Sequence, residues 1–283
     1  MLRSMYSGIS GMKNFQIKLD VIGNNIANVN TYGYKKGRTT FKDMVSQSIS
    51  GSSAPGDTRG GVNPKQVGLG SQLSTIDMID TQGSLQTTGR PLDLGISGDG
   101  FFVVAEGAVN AGNPPTVNIT FSTAKLTRAG NFYLDKNGFL VNGDGYYVLD
   151  TEGNAIQIPI DAESFSIGSD GSINVVGATY SGKEIALVKV PNPSGLEKVG
   201  SNLYAITFNS GTTDNDEILE QADLLTPGTK GAGTIVSGTL EMSNVDLSEE
   251  FTEMIVAQRG FQANTRIITT SDEILQELVN LKR

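Results

Sequence analysis

Apolar side chains recur every three or four residues at both ends of the chain, and in between they fall into short runs broken by turn residues. Leu2, Met5, Ile9 and Met12, then Leu19, Ile22, Ile26 and Val29, share one face of a 3.6-residue helix. This predicts a helix over 2–28, stopped by the turn chemistry of Asn28, Asn30, Thr31 and Gly33. At the other end Leu247, Phe251, Met254, Phe261, Ile268, Leu275 and Val279 keep one heptad register, with Gln258, Thr265 and Asp272 at the intervening seam positions. Asp246 is the expected N-cap, with Glu249 reaching back to it, and Lys282 and Arg283 suit the negative end of the helix dipole. Thr269-Thr270-Ser271 weakens the middle of what reads as one helix of about 35 residues, about 50 Å long.

Between the helices the pattern changes. Tyr32, Tyr34, Phe41, Met44 and Val45 predict an extended arm leading into a helical turn around 40–47. Residues 48–72 are rich in Ser, Gly and Pro with few large apolar groups, the composition of a flexible linker. From 73 to 237 short apolar runs alternate with turn signals. Gly98-Asp99-Gly100 precedes Phe101–Val104, Lys136-Asn137-Gly138 parts two apolar triplets, and Ser169-Asp170-Gly171 does the same further on. Asn113-Pro114-Pro115 and Pro191-Asn192-Pro193 mark loops. The expected fold is α+β: long N- and C-terminal helices forming a coiled-coil-like core domain, with an all-β domain inserted between them. The boundaries so read are 1–47, 48–72, 73–237 and 238–283.

Composition removes several functions. The chain has no Cys, His or Trp, which excludes thiol nucleophiles, His-based triads and the usual zinc and haem ligand sets. A formal charge of −9 speaks against nucleic acid. No run is apolar enough for membrane insertion, and the first residues lack the pattern of a cleaved signal peptide. Asp150, Glu152 and Asn154 have the start of a calcium-loop spacing, but Ala155 stands where Gly is needed and Asp161 where a bidentate Glu belongs. Asp135, Asn137, Asp144 and Asp170 suit hairpin tips. Nothing singles out a catalytic residue, a cofactor or a metal site, so neither an enzyme nor a cofactor is expected.

The helices themselves suggest what the chain does. Burying seven side chains of the first helix contributes about 10–20 kcal/mol, against about 25–50 kcal/mol for fixing some 25 backbone residues. Such a helix needs partners. Gly8 and Gly11, with Ser4 and Ser7, add a strip of small residues where a second backbone can approach. Assembly into a homopolymer fits this pattern, as does a helical pair capping a β domain in a monomer.

Two stretches then carry a resemblance. Leu19–Phe41 (LDVIGNNIANVNTYGYKKGRTTF), with its motif of Ala27, Asn28, Asn30, Thr31 and Gly33, and Ser243–Arg283 resemble the termini of the bacterial flagellar rod and hook axial proteins. GRPLDLGISGDGFFVV, TRAGNFYLDKNGFLVNGDGYYVL and SGLEKVGSNLYAIT resemble that family's β domain. The resemblance implies an extracellular structural subunit, exported through the flagellar export apparatus without signal cleavage. Terminal helices of many copies would build a tubular core. The segment from Leu247 onward looks most like the hook-type member, a flexible curved tube that transmits torque, with a distal rod protein as the alternative and a secreted β-rich enzyme or binding module behind both. Implied partners are further copies, rod and hook-filament junction proteins, and the hook cap. In the hook reading, the linker would absorb length changes as the tube bends.

Overall fold

A computed structural model of the chain describes residues 2–56, 59–110, 116–177, 180, 182–212 and 219–281. Lys282, Arg283, the Asn113-Pro114-Pro115 loop and the side chain of Leu2 lie outside the described residues. The chain divides into two compact units. One comprises 1–27, 37–77 and 246–283, the other 28–36 and 78–245.

The first unit is built on two helices, α1 (Leu2–Ala27) and α2 (Leu247–Asn280). α2 starts where the sequence places it: the Asp246 carboxylate accepts from the amides of Ser248 and Glu249 at 2.8 and 3.4 Å, satisfying two donors that a helix start leaves open. It runs unbroken through Thr269-Thr270-Ser271, whose hydroxyls bond back to carbonyls three or four residues earlier rather than leaving the helix. The arm after α1 is not a helical turn. It is strand β1 (Gly37–Asp43), joined by β2 (Ser46–Ser50), which pairs antiparallel with β3 (Lys65–Gly68), while β4 (Ser71–Met78) pairs with β1.

The supposed flexible linker is therefore a two-stranded ribbon, prolonged by bridges Ser53–Val62 and Gly56–Arg59. Its described side chains from 48 to 68 are all exposed, so backbone pairing rather than a core holds it. That is why composition suggested a tether: Ser and Gly can extend a ladder without supplying anything to bury.

The second unit centres on an eight-stranded antiparallel sheet with Phe101–Ala105 in its middle. All five residues of that strand are buried. Phe102 and Val104 enter one apolar core with Leu140, Val148, Ile156 and Leu187; Phe101, Val103 and Ala105 enter another with Leu126, Leu149 and Val188. A strand covered on both faces reads as a continuous apolar run, which is what FFVVA is. Two of the three predicted hairpins form; at Gly98-Asp99-Gly100 the preceding strand Leu94–Ser97 pairs with Thr234–Ser237 instead of with Phe101–Ala105. Tyr133–Leu134 pairs with Leu140–Val141, and Ser164–Ile167 with Ile173–Val176. Gly138 and Gly171 at their turns hold φ of 79° and 78°, conformations that favour glycine.

Candidate assembly interface

In the first unit α1 and α2 run antiparallel. A side chain built on Gly8 would meet Asn264 and Ile268, one on Gly11 would touch the Asn264 amide at 2.9 Å, and one on Gly260 would strike the Phe15 ring at 2.5 Å. Glycine on each helix seats a larger side chain of the other, which brings the backbones close. Lys18 pairs with Glu253 at 3.0 Å. Near the base of the pair, buried Asn25 donates to the Glu250 carboxylate at 3.2 Å and clasps Gly37 through both its amide and its carbonyl.

The inward face of α2 follows a four-three alternation through Glu250, Met254, Ala257, Phe261, Asn264, Ile268, Ser271 and Leu275, with Gly260 and Thr265 also half-buried against α1. Of the predicted seam positions, Met254, Phe261, Thr265, Ile268 and Leu275 face inward. The other half of the register is different. Leu247, Phe251 and Val279 are exposed, as are Gln258 and Asp272. The inward places go to small or polar residues, because α1 comes too close for a second row of large ones. On α1, Ile22 is buried and Met5, Ile9, Met12, Leu19 and Ile26 are half-buried. The small strip with Gly8 and Gly11 faces α2 of the same chain rather than forming a separate surface. Among the described residues there are two α-helices, so a multi-helix coiled-coil core is not part of what one chain shows.

The second unit holds residues 28–36, the stretch of the family motif. Thr31 turns back on Asn28 through both its amide and its hydroxyl. Gly33 has φ +68° and lies so close to the 128–129 backbone of the same chain that a Cβ would sit 2.6 Å from the Arg128 carbonyl carbon. Its amide donates to the Glu241 carbonyl at 2.8 Å. Val29 is half-buried, while Asn30 and Ala27 are exposed.

Beside this turn lies a buried charge cluster that no sequence pattern announced. The Glu241 carboxylate accepts from Lys35 Nζ at 2.8 Å, Arg128 at 3.0 Å and the Gly83 amide at 2.9 Å. Lys35, Arg128 and Glu241 are at most 2% exposed. Asp80 stands 3.6 Å from Lys35, and burial pushes its carboxyl above the usual range despite the attraction of Lys35 and Arg128. Two cations meet two carboxylates, so the cluster is neutral overall. Asn244 adds a staple: its carbonyl accepts from Lys36 N at 2.7 Å and its amide donates to Ile79 O at 2.8 Å. Lys35 and Arg128 fall within stretches that carry the family resemblance, but no spacing in the sequence joins them to Asp80 and Glu241.

Asp150, which began the failed calcium spacing, is a loop organiser. One oxygen accepts from Glu152 and Asn154 amides, and the other pairs with Lys183 at 2.9 Å. No helix among the described residues is long and apolar enough to cross a membrane.

An antiparallel helix pair made from both ends of a chain, with a β unit inserted between them in sequence that carries a turn locked by buried charges, defines a structural subunit with much apolar helix surface still exposed. Comparison with known proteins gives the family. Profiles described as "Flagella basal body rod protein", "Flagellar hook protein FlgE/F/G D1 domain" and "Flagellar basal body rod FlgEFG protein C-terminal" match residues 5–35, 95–175 and 236–281. The flagellar basal-body rod protein FlgG of Bacillus subtilis is 59% identical, with all of both chains covered. The FlgG of Borreliella burgdorferi is 35% identical, again over all of both chains. The flagellar hook protein FlgE of the same organism is 33% identical, with both chains fully covered. The chain belongs to the flagellar rod and hook protein family, whose members are structural components of the flagellum.

Proposed function

We propose that this chain is a subunit of the distal rod, the straight part of the flagellar drive shaft, and that many copies assemble through their terminal helices into a tube that passes torque outward. The observation that carries this is length. The alignment with the Bacillus subtilis rod protein spans 286 residues, close to the 283 of this chain, whereas the alignment with the Borreliella burgdorferi hook protein spans 451. The hook relative thus carries more than a hundred residues with no counterpart here. This reverses the order read from the sequence, which put the hook first. Full-length similarity to hook proteins keeps that reading as the second one.

The partners that follow are further copies of this chain, and at the outer end the first hook subunits. The exposed apolar residues of α2 support assembly: Phe251, Ile255 and Val279 are half or more exposed, a large unsatisfied surface for one helix. A strain lacking this chain tests the assignment by electron microscopy of its basal bodies. The rod reading expects a truncated rod with no hook. A complete straight rod that lacks only the curved segment would instead make this a hook subunit.

A further inference from the structure

On the β unit a cleft of about 300 Å³ is lined by two turns, one carrying Asn142 and Asp144, the other Ser201 and Asn202, with Thr127 and Asn131 completing the wall. An alanine methyl is the sole apolar side chain in this lining and Asp144 the sole charge, whereas ligand cavities are mostly apolar with a few polar groups. The Ser201-Asn202 turn adds a second observation. Both residues hold positive φ, 50° and 58°, in the two-residue loop joining Glu197–Gly200 to Leu203–Ala205, where backbone preference selects Asn-Gly. Asparagine tolerates that conformation, but serine adopts it rarely and at a cost. The turn by itself would be better made with asparagine or glycine at 201, so the hydroxyl there has a use other than turning the chain.

The polar groups of the cleft are held ready. Asn142 Oδ1 accepts from the amides of Asp144 and Tyr146 at 3.0 and 2.9 Å, which fixes the side chain and leaves its NH2 uncommitted. The Thr127 hydroxyl donates to the Asn202 carbonyl at 2.9 Å, and the Asn202 side-chain amide donates to the Tyr32 carbonyl at 3.1 Å, pinning the second turn. The Asn131 side chain, the Ser201 hydroxyl and the Asp144 carboxylate have no hydrogen-bond or ion-pair partner among the described residues. A ligand therefore meets two groups that both donate and accept, one donor and one strong acceptor.

We propose that this cleft binds a neutral pyranose, a single sugar unit of a glycan. A phosphate or carboxylate would face Asp144 with no lysine or arginine in the lining to offset it. An apolar ligand would strip water from amides and hydroxyls and return nothing to them. A sugar ring carries hydroxyls, each both donor and acceptor, on most of its carbons, and a carboxylate accepts from two adjacent ones. About 300 Å³ is the low end for ligand cavities, room for one ring rather than several. No aromatic side chain lines the cleft for stacking, so binding is weak and rapidly reversible. The site belongs to the β unit and is the same whether the tube is rod or hook.

Saturation-transfer difference NMR on the purified full chain tests this with glucose, N-acetylglucosamine, cellotriose and chitotriose, and with triglycine as an uncharged-backbone control. Transfer to at least one sugar is expected, with affinity falling about tenfold, the loss of one or two good hydrogen bonds, in Ser201→Gly and in Asn131→Leu. Ser201→Gly decides the matter because glycine suits φ 50° and should leave Tm unchanged or higher, so weaker binding there reports the hydroxyl and not misfolding. If Asn131→Leu does not fold, Ser201→Gly still gives the answer. Absence of transfer to all four sugars overturns the proposal, as does sugar affinity unchanged in Ser201→Gly, which would put the contact elsewhere on the surface. Triglycine binding as tightly as the best sugar and weakened by the same substitution would make the cleft a peptide site and also overturn it.

Discussion

Replacing Glu241 with alanine takes away the acceptor shared by Lys35, Arg128 and the Gly83 amide, and leaves two cations buried beside the turn that contains Gly33. Removing one partner of a buried ion pair costs about 3–5 kcal/mol, chiefly because the remaining charge has lost both water and its partner. Lys35 keeps the Thr81 carbonyl at 2.9 Å and Asp80 at 3.6 Å, and Arg128 keeps the Gly98 carbonyl at 2.9 Å. These remaining contacts place the expected loss near the lower end, about 3 kcal/mol. For a unit of this size that is a fall in Tm of roughly 6–12 °C. The chain has no Trp and 8 Tyr, so tyrosine fluorescence and near-ultraviolet circular dichroism report denaturant unfolding. A companion variant separates charge burial from packing. Glu241→Leu combined with Lys35→Met, Arg128→Met and Asp80→Asn removes every charge of the cluster and should be more stable than Glu241→Ala alone. A loss under about 1 kcal/mol for Glu241→Ala, or a combined variant less stable than the single one, would refute this account of the cluster.

Four further outcomes follow from the same geometry. Gly33→Ala forces a side chain into a left-handed conformation against the Arg128 and Ala129 backbone, and should cost about 2–4 kcal/mol by denaturant titration. Gly260→Leu collides with the Phe15 ring; an overpacking loss of about 1–3 kcal/mol should appear as earlier melting of helical signal. Asp80 has a folded pKa raised above 3.8 by burial, so the folded state holds its proton more tightly and the group's contribution declines as pH rises through that range. Asp80→Asn should therefore gain stability relative to wild type from acid toward neutral pH, and a parallel pair of stability curves would contradict this. In the isolated subunit, amides of 278–281 should exchange faster than those of 257–271, with the difference lost in the assembled rod.

Exposure also bears on the central sequence argument, that the chain's ends seek other copies. α1 and α2 shelter one face each, which meets part of the need estimated from the lone first helix. Yet Leu247, Phe251, Ile255, Leu278 and Val279 remain in solvent, and burying a side chain of this kind contributes about 1.5–3 kcal/mol. The pair is thus half-satisfied alone.

Local order was readable before any coordinates. The two terminal helices, the Asp246 cap, the turns at Gly138 and Gly171 and the buried FFVVA strand each follow from a few adjacent residues whose backbone preferences and apolar period agree. Tertiary contact decided the rest. Apolarity counted along α2 chose Leu247 and Phe251 for the seam, but close approach of α1 gives the places that alternate with Met254, Phe261, Ile268 and Leu275 to Glu250, Ala257, Asn264 and Ser271, which are small or hydrogen-bonded. The Ser- and Gly-rich stretch became a ribbon because its two arms found each other's backbone, which composition does not record. Lys35, Asp80, Arg128 and Glu241 are scattered over two hundred residues, and a buried charge is tolerable only once the fold has brought its opposite beside it.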